Sequence, residues 1–191
     1  MKNFFAYLNR MKYIERWSLM HSSIKENIME HSLSVSFLAH ALAIIENEIF
    51  KGKADEYKTL AYAVYHEASE VITGDLPTPI KYFNTDINIA YKELEGYANE
   101  KLINNLPDVL AKRYKDFIFS DNNSIEYKLT KAADKLAAYI KCIEELKGGN
   151  LEFKKAKQTI EKDIENIELS SVKYFMENFI KSYELTLDEL E

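Results

Sequence analysis

The sequence predicts an all-α protein, a helical globule that forms a single domain over residues 1–191. The length of 191 residues suits one domain better than two. Apolar residues make up 47% of the chain, which is enough for a packed core, whereas only 5 glycines and 3 prolines are present. An all-β protein needs a turn about every ten residues and would be richer in both residue types.

The spacing of the apolar residues predicts helices along the whole chain. They are expected at residues 2–13, 29–49, 54–73, 85–104, 107–118, 124–147, 151–167 and 170–184. The helix at 29–49 is apolar on nearly every face, which predicts a central position in the core. Gly74 stands where a glycine commonly caps the C-terminus of a helix.

A stiff loop is predicted at residues 75–79, where the sequence reads Asp-Leu-Pro-Thr-Pro. Two of the three prolines of the chain lie here. Proline fixes its own φ and restrains the residue before it, so the loop has little conformational freedom. A rigid loop directly after a helix is well suited to holding a ligand.

Charge and composition exclude several classes of function. The net charge is −6, so the overall field does not favour duplex nucleic acid, although a local arginine or a metal can still bind a small anion. No run approaches the ~18 apolar residues of a membrane span, and the N-terminus shows no signal peptide. Cys142 is the only cysteine, which rules out an intrachain disulfide. We therefore expect a cytoplasmic protein, with Cys142 in its core, that binds neither nucleic acid nor a membrane.

His66 and Glu67 are the strongest indication of a metal site. Adjacent helical residues diverge by about 100°, so both can reach an ion beside the helix, and Glu70 follows one turn later. The flanking residues are apolar, and a buried carboxylate is costly unless it is paired or bound to a metal. The alternative is a polar helix face in solvent.

The other histidines and Asp134 are less distinctive. His31 lies near the start of a predicted helix and can project from the rim of the core. His40 lies nine residues later and half a turn out of phase, so we assign it to structure, and His21 lies in a polar loop. Asp134 is off the apolar stripe of its helix, and periodicity alone predicts a solvated surface residue.

Arg16 and Trp17 form an adjacent pair that can bind a nucleotide. A guanidinium group matches phosphate oxygens, and an indole offers a flat surface to a sugar or a base. The simpler interpretation is a tryptophan in the core with the arginine outside.

These residues together resemble a known family. The order His31, His66-Glu67, Asp134 resembles the H…HD…D signature of the HD-domain phosphohydrolase superfamily, and the chain resembles its bacterial 5′-deoxynucleotidases over nearly the whole length. The matching segments are residues 16–17, 30–33, 66–71, 73–79, 81–84, 133–134, 139–146 and 174–176. The HD signature is moderately specific, whereas Thr-Gly-Asp-Leu-Pro-Thr-Pro followed by Lys-Tyr-Phe-Asn is much more so.

The resemblance implies an HD-domain fold, a homodimer and the hydrolysis of deoxyribonucleoside 5′-monophosphates to deoxyribonucleosides and phosphate. It implies one divalent transition metal, which could be Co, Mn, Cu, Zn, Ni or Fe, bound by His31, His66, Glu67 and Asp134. Histidine and carboxylate ligands suit such metals better than Ca or Mg.

The resemblance also implies roles for the remaining site residues. Arg16 orients the phosphate, Glu70 positions or deprotonates the attacking water, and Asp75 serves the sugar side or a proton transfer. Trp17 packs near the sugar and favours deoxyribose. The residues implied in substrate binding are Arg16, Trp17, Asp75, Leu76, Pro77 and Thr78.

Glu67 is the one departure from the family pattern, which has aspartate at this position. The extra methylene moves the carboxylate by ~1.5 Å, in a kind of site that is held to ~0.5 Å. We expect altered rather than absent metal binding, with slow turnover. One alternative is a nucleotide-binding or sensing HD protein with weakened catalysis. Another is an HD hydrolase of nucleoside triphosphates or cyclic nucleotides, which the scarcity of clustered basic residues disfavours.

The C-terminal segment at residues 174–183 is more aromatic than one small helix needs for its own packing. Exposed aromatic patches usually mark an interface. This segment therefore predicts a symmetric homodimer.

Overall fold

The computed structural model describes residues 1–190 and contains ten α-helices in that range. They are α1 (Phe4–Leu8), α2 (Ile28–Glu48), α3 (Glu56–Tyr65), α4 (Glu70–Thr73), α5 (Thr78–Lys81), α6 (Thr85–Ile103), α7 (Asp108–Ile118), α8 (Ile125–Lys147), α9 (Lys154–Glu165) and α10 (Ser170–Asn178). Short 3₁₀ segments lie at Asn9–Tyr13, Leu151–Phe153, Ile180–Glu184 and Leu187–Glu189. The described residues include no β-strand, only an isolated bridge between Glu15 and Asn27. The all-α prediction is confirmed.

The long helices α2 and α8 form the centre of the fold. They pack against each other, and α3, α9 and α10 surround them. Alanines on both helices, Ala39, Ala43, Ala133 and Ala137, are buried and let the backbones approach closely. The predicted central position of the second helix is confirmed.

A smaller hydrophobic cluster joins α1 to α6 and α7. It contains the buried residues Phe4, Leu102, Leu106 and Ile118, and Ala68 from the segment between α3 and α4 also belongs to it. Ala63, near the end of α3, belongs instead to the main core. Residues 64–70 therefore connect the two clusters and are fixed from both sides.

The predicted continuous helix at 54–73 is wrong, because α3 ends at Tyr65 and α4 begins at Glu70. The His66 ring explains the break: its Nδ1 lies 2.7 Å from the Ala63 carbonyl oxygen, which would accept the Glu67 N–H in a continuous helix. The chain between the helices instead forms hydrogen bonds between residues three apart, such as the one from the Ala68 N–H to the Tyr65 carbonyl at 3.0 Å.

The start of α2 is well defined by a capping box. The Asn27 side chain accepts hydrogen bonds from the N–H groups of Met29 and Glu30, and the Glu30 side chain accepts one from the Asn27 N–H. This cap places His31 in the first turn of the helix.

By length and composition, α2 could cross a membrane. More than half of the stretch that meets this test is buried inside the fold, where α2 packs against α3 and α8. The central helix of a globular protein meets the same test.

The aromatic C-terminal segment mostly belongs to the core, so its interpretation as an exposed patch is wrong. Phe175 is buried, and Tyr174, Ile180 and Tyr183 pack against the main core. Exposed apolar side chains lie instead along one face of α2. Four of them, Met29, Leu33, Phe37 and Ile44, define a surface that we call the α2 face.

Candidate metal centre

Four side chains from three parts of the chain converge on one point. His31 comes from α2, His66 and Glu67 from the turn after α3, and Asp134 from α8. Each offers one ligand atom, and these atoms all lie within 4.8 Å of one another. His31 Nε2 lies 2.9 Å from Asp134 Oδ1, and His66 Nε2 lies 3.2 Å from Glu67 Oε1. The structure thus brings together the four predicted ligands.

The orientation of His66 fits a metal ligand. Its Nδ1 donates to the Ala63 carbonyl, which fixes the orientation of the ring and directs Nε2 towards the other three side chains. This Nε2 is buried and has no hydrogen-bond partner among the described residues. Once this nitrogen loses its proton, its lone pair can bind a cation, and two imidazoles with two carboxylates suit a divalent transition metal.

The charges at this point also favour a cation. Burial alone would raise the pKa of Asp134, but Lys131 and His31 hold that pKa well below its usual range. Burial likewise opposes ionisation of Glu67, yet His66 holds the pKa of Glu67 well below its usual value. Burial lowers the pKa of His66, but Glu67 and Asp134 outweigh it and raise that pKa to about 9. Both carboxylates are therefore ionised and balanced in part by a proton on His66, which a metal would displace.

Glu70 is the first residue of α4, and its side chain adjoins that of Glu67. It is buried, and burial followed by the charge of Glu67 raises the pKa of Glu70 to about 11. A cation bound by Glu67 would withdraw charge from the pair and lower that pKa. Glu70 thus adjoins the metal centre without belonging to its ligand set.

Arg16 and Trp17 lie beside the metal centre and share one partner, Glu26. Arg16 Nη1 lies 3.4 Å from Glu26 Oε2, and Trp17 Nε1 donates to the same oxygen at 3.2 Å. The Trp17 ring packs on Phe153 with 5.2 Å between ring centroids. The Arg16 side chain is only 16% exposed. The interpretation that placed the arginine outside is therefore wrong.

Arg16 interacts electrostatically with the charged groups of the site. Burial lowers the pKa of Arg16, but the carboxylates of Asp134, Glu26, Glu67 and Asp75 outweigh it and raise that pKa. Arg16 is thus a fixed positive charge among four carboxylates.

The loop after Gly74 contributes Asp75 to this group of charges. Gly74 caps α4 with φ = 74°, as its position in the sequence predicts. Burial raises the pKa of the half-buried Asp75, and Arg16 opposes that shift. Leu76 and Pro77 are half-buried, whereas Thr78 is exposed at the first position of α5. Substrate contacts of these three residues stay predictions.

Asp134 is not the solvated surface residue that periodicity predicts. Its side chain is 22% exposed and accepts a hydrogen bond from His31. His40 is half-buried in α2 and outside the metal centre, and His21 is exposed, both as expected.

Sequence reasoning missed two charged residues near the site. Glu26 binds Arg16 and Trp17 through a loop closure that no local pattern reveals. Lys131 lies three residues before Asp134, with its Nζ 3.5 Å from Asp134 Oδ2. Only the i, i+3 spacing could have indicated this ion pair.

Solved structures of other proteins share this fold. An HD-domain phosphohydrolase from Listeria innocua matches with a TM-score of 0.80 over 95% of this chain and 88% of that one, at 22% identity. A cyanophage S-2L HD phosphohydrolase, solved with dA and one catalytic Zn²⁺ ion, matches with a TM-score of 0.62 over 93% and 96% of the two chains, at 17% identity. The fold is therefore that of an HD-domain phosphohydrolase.

Sequence comparison gives the particular family. The model of the 5′-deoxynucleotidase YfbR-like family matches residues 3–183. A 5′-deoxynucleotidase of Vibrio atlanticus is 46% identical over 98% of this chain and 97% of its own length. The chain belongs to the 5′-deoxynucleotidase YfbR-like family, and the resemblance predicted from the motifs is confirmed.

Proposed function

We propose that this protein is a metal-dependent 5′-deoxynucleotidase. It hydrolyses deoxyribonucleoside 5′-monophosphates to deoxyribonucleosides and phosphate. The observation that carries the proposal is the cluster of His31, His66, Glu67 and Asp134, with its unpartnered His66 Nε2, in a chain 46% identical to a 5′-deoxynucleotidase.

These four residues would hold one divalent transition metal from the series Co, Mn, Cu, Zn, Ni and Fe. The zinc in the cyanophage structure supports an ion of this kind. The chemistry such an ion supplies is the acidification of water and the neutralisation of charge on phosphoryl oxygens.

The neighbouring residues supply binding and proton transfer. Arg16 binds the phosphate through its guanidinium fork, which the surrounding carboxylates keep charged. Glu70 orients the attacking water and accepts its proton when its pKa falls in the loaded site. Asp75, whose pKa is raised by burial, donates a proton to the departing 5′-oxygen of the sugar. Trp17 with Leu76, Pro77 and Thr78 contacts the sugar side.

A second candidate is a nucleotide-binding or sensing protein whose catalysis has weakened. Glu67 in place of the motif aspartate is the observation that favours it. This candidate predicts nucleotide and metal binding without phosphate release.

We expect phosphate release from several deoxyribonucleoside 5′-monophosphates, with ribonucleotides and 3′-monophosphates poorer. Trp17 and the loop at 75–78 contact the sugar, whereas the metal centre does not distinguish one base from another. Phosphate release from a nucleotide panel, with the metal supplied, measures this. Equal rates on deoxyribose and ribose substrates would contradict the selectivity, and no release from any member would favour the second candidate.

The same assay tests the phosphate contact. Arg16→Ala should lower kcat/KM by ~10²-fold, the cost of losing one preorganised donor to a developing charge. Helix content by circular dichroism should be retained. Arg113→Ala, on the exposed side of α7, is the matched control and should behave as the wild type.

We further propose a symmetric homodimer that forms through the α2 face. Its residues follow one another at spacings of four, four and seven along the helix, so they share one side, and Phe37 is 68% exposed. A second copy of the chain would remove this apolar surface from water. This also accounts for the apolar character of α2 without a membrane, and we propose a cytoplasmic location.

The dimer should dissociate when Phe37 is replaced by glutamate, because the charge would be buried in the proposed interface without a partner. Light scattering at micromolar concentration gives the mass. Tyr57→Glu is the control, since Tyr57 is 81% exposed but lies on α3. A monomeric wild-type protein, or a Phe37→Glu variant that stays dimeric, would refute this interface.

A further inference from the structure

The segment that carries Arg16 and Trp17 is closed by its own backbone. The Arg16 N–H donates to the Glu26 carbonyl at 2.9 Å, and the Ile28 N–H donates to the Ile14 carbonyl at 3.0 Å. Glu26 therefore lies directly opposite Arg16, although ten residues separate them in the sequence. We call residues 14–28 the Arg16 loop.

The Glu26 carboxylate lies between three functional groups. Its Oε2 accepts from Trp17 Nε1 at 3.2 Å and lies 3.4 Å from Arg16 Nη1. Its Oε1 lies 4.0 Å from Nδ1 of His31, on the side of that ring away from Asp134. Glu26 is 16% exposed, so these groups replace most of its water. One carboxylate thus adjoins the groups proposed for the phosphate, the sugar and the metal.

The Trp17 backbone shows why such a partner is needed. Its φ is 60°, a left-handed conformation that is unfavourable for a bulky side chain. The surroundings must therefore hold the residue in place. Two contacts do so: the hydrogen bond from the indole to Glu26 and the packing of the ring on Phe153 at 5.2 Å.

The Arg16 contact constrains the guanidinium without saturating it. A guanidinium has five N–H donors in a planar fork, and Glu26 takes only one of them through a long contact of 3.4 Å. The remaining donors stay free for phosphate oxygens, while Glu26 holds one end of the fork.

We propose that Glu26 is a positioning residue that fixes Arg16 and Trp17 together, so that the phosphate and the sugar of one nucleotide are read in a single geometry. The inference rests on the proposed function, because that function assigns Arg16 to the phosphate and Trp17 to the sugar. The inference adds that discrimination between deoxyribose and ribose depends on Glu26, which acts through Arg16 and Trp17 and does not itself contact the sugar.

The test compares Glu26→Gln with the matched control Glu15→Gln. In Glu26→Gln the side chain keeps its size but loses its charge. Glu15 belongs to the same loop closure, yet its carboxylate pairs with the exposed Lys25 at 2.8 Å on the outer side. Both variants change one glutamate of the same loop to glutamine, and only one of them touches Arg16 and Trp17.

Two readouts are measured, and the first needs no catalysis. Trp17 is the only tryptophan, so intrinsic tryptophan fluorescence reports its surroundings alone. We expect a shifted emission in Glu26→Gln and an unchanged emission in Glu15→Gln. The second readout is kcat and KM for deoxyadenosine 5′-monophosphate and adenosine 5′-monophosphate. Glu26→Gln should raise KM for the deoxynucleotide and lower the deoxyribose-to-ribose ratio of kcat/KM about tenfold, within the range expected of a sub-ångström misplacement.

A folded Glu26→Gln variant with the emission and the substrate ratio of the wild type overturns the proposal, as does an equal effect of Glu15→Gln. If Glu26→Gln does not fold, Trp17→Phe takes its place, because it keeps the packing on Phe153 but removes the same hydrogen bond. An unchanged substrate ratio in that variant also overturns the proposal. A wild-type protein that hydrolyses neither nucleotide would remove the proposed function, while the fluorescence comparison would still decide whether Glu26 holds Trp17.

Discussion

Replacing Glu67 by alanine should strip the metal from the protein and abolish phosphate release. Glu67 supplies one of four ligand atoms that lie within 4.8 Å of one another, and no other carboxylate belongs to the ligand set except Asp134. Loss of a residue that merely supports a ligand already costs 10- to 100-fold in affinity as a rule, so loss of a ligand should cost more. Elemental analysis after dialysis measures the metal, and Glu93→Ala on the exposed side of α6 is the control.

The conservative change at the same position separates ligand type from reach. Glu67→Asp keeps the charge but withdraws the carboxylate by ~1.5 Å, to the reach that the family motif uses. A displacement of ~1 Å can change a rate by about 10²-fold, so phosphate release should rise in this variant. One metal per chain in dialysed Glu67→Ala would contradict the ligand assignment. A slower Glu67→Asp with the same metal would show that the site has adapted to glutamate.

Glu145→Ala should cause a large loss of stability. Glu145 and Lys141 are almost fully buried in α8 and pair at 2.7 Å. The same carboxylate accepts from the N–H groups of Ser23 and Ile24 at 2.9 and 3.1 Å. Removing it leaves the buried Lys141 ammonium without its counter-charge and the two N–H groups without their acceptor. Breaking a buried pair from one side costs about 3–5 kcal/mol in the free energy of unfolding.

Denaturant unfolding monitored by circular dichroism measures this loss. The neighbouring Glu144→Ala is the control, since Glu144 is exposed and a substitution there should stay within about 0.5 kcal/mol. Burial opposes ionisation, but Lys141 and Asn150 hold the pKa of Glu145 below its usual value. The contribution is therefore complete above the unfolded pKa and is lost as the pH falls through the folded one. Equal stability of the two variants at neutral pH would refute the role of Glu145.

The helices were predictable because their signal is local. An apolar residue every three or four positions marks the buried stripe of α8 whatever else the chain does. The break between α3 and α4 was not predictable in this way. It depends on the His66 ring taking the Ala63 carbonyl, which is a competition between a side chain and the backbone within a stretch whose apolar pattern continues unbroken.

The site was predictable only where its residues are neighbours in the sequence. His66 and Glu67 adjoin, and their apolar flanks indicate burial. Asp134 instead meets His31 across 103 residues, so the apolar stripe of its own helix could not reveal a polar partner on the other side. Only the resemblance to a family identified it. Glu26 escaped both approaches, because its contacts depend on how the Arg16 loop closes.

Asp134 and Glu145 both lie in α8, so the site and the Arg16 loop can be completed only after this late helix has been synthesised. Asp134 completes the ligand set, and Glu145 holds the Arg16 loop at Ser23 and Ile24. His31 therefore waits for a partner that is made 103 residues later, which takes about 5–20 s at usual rates of synthesis. Until α8 has emerged, the nascent chain carries His31, His66 and Glu67 without Asp134, and its Arg16 loop has no acceptor for the amides of Ser23 and Ile24. The metal centre and the Arg16 loop therefore form only when the last third of the chain is being made.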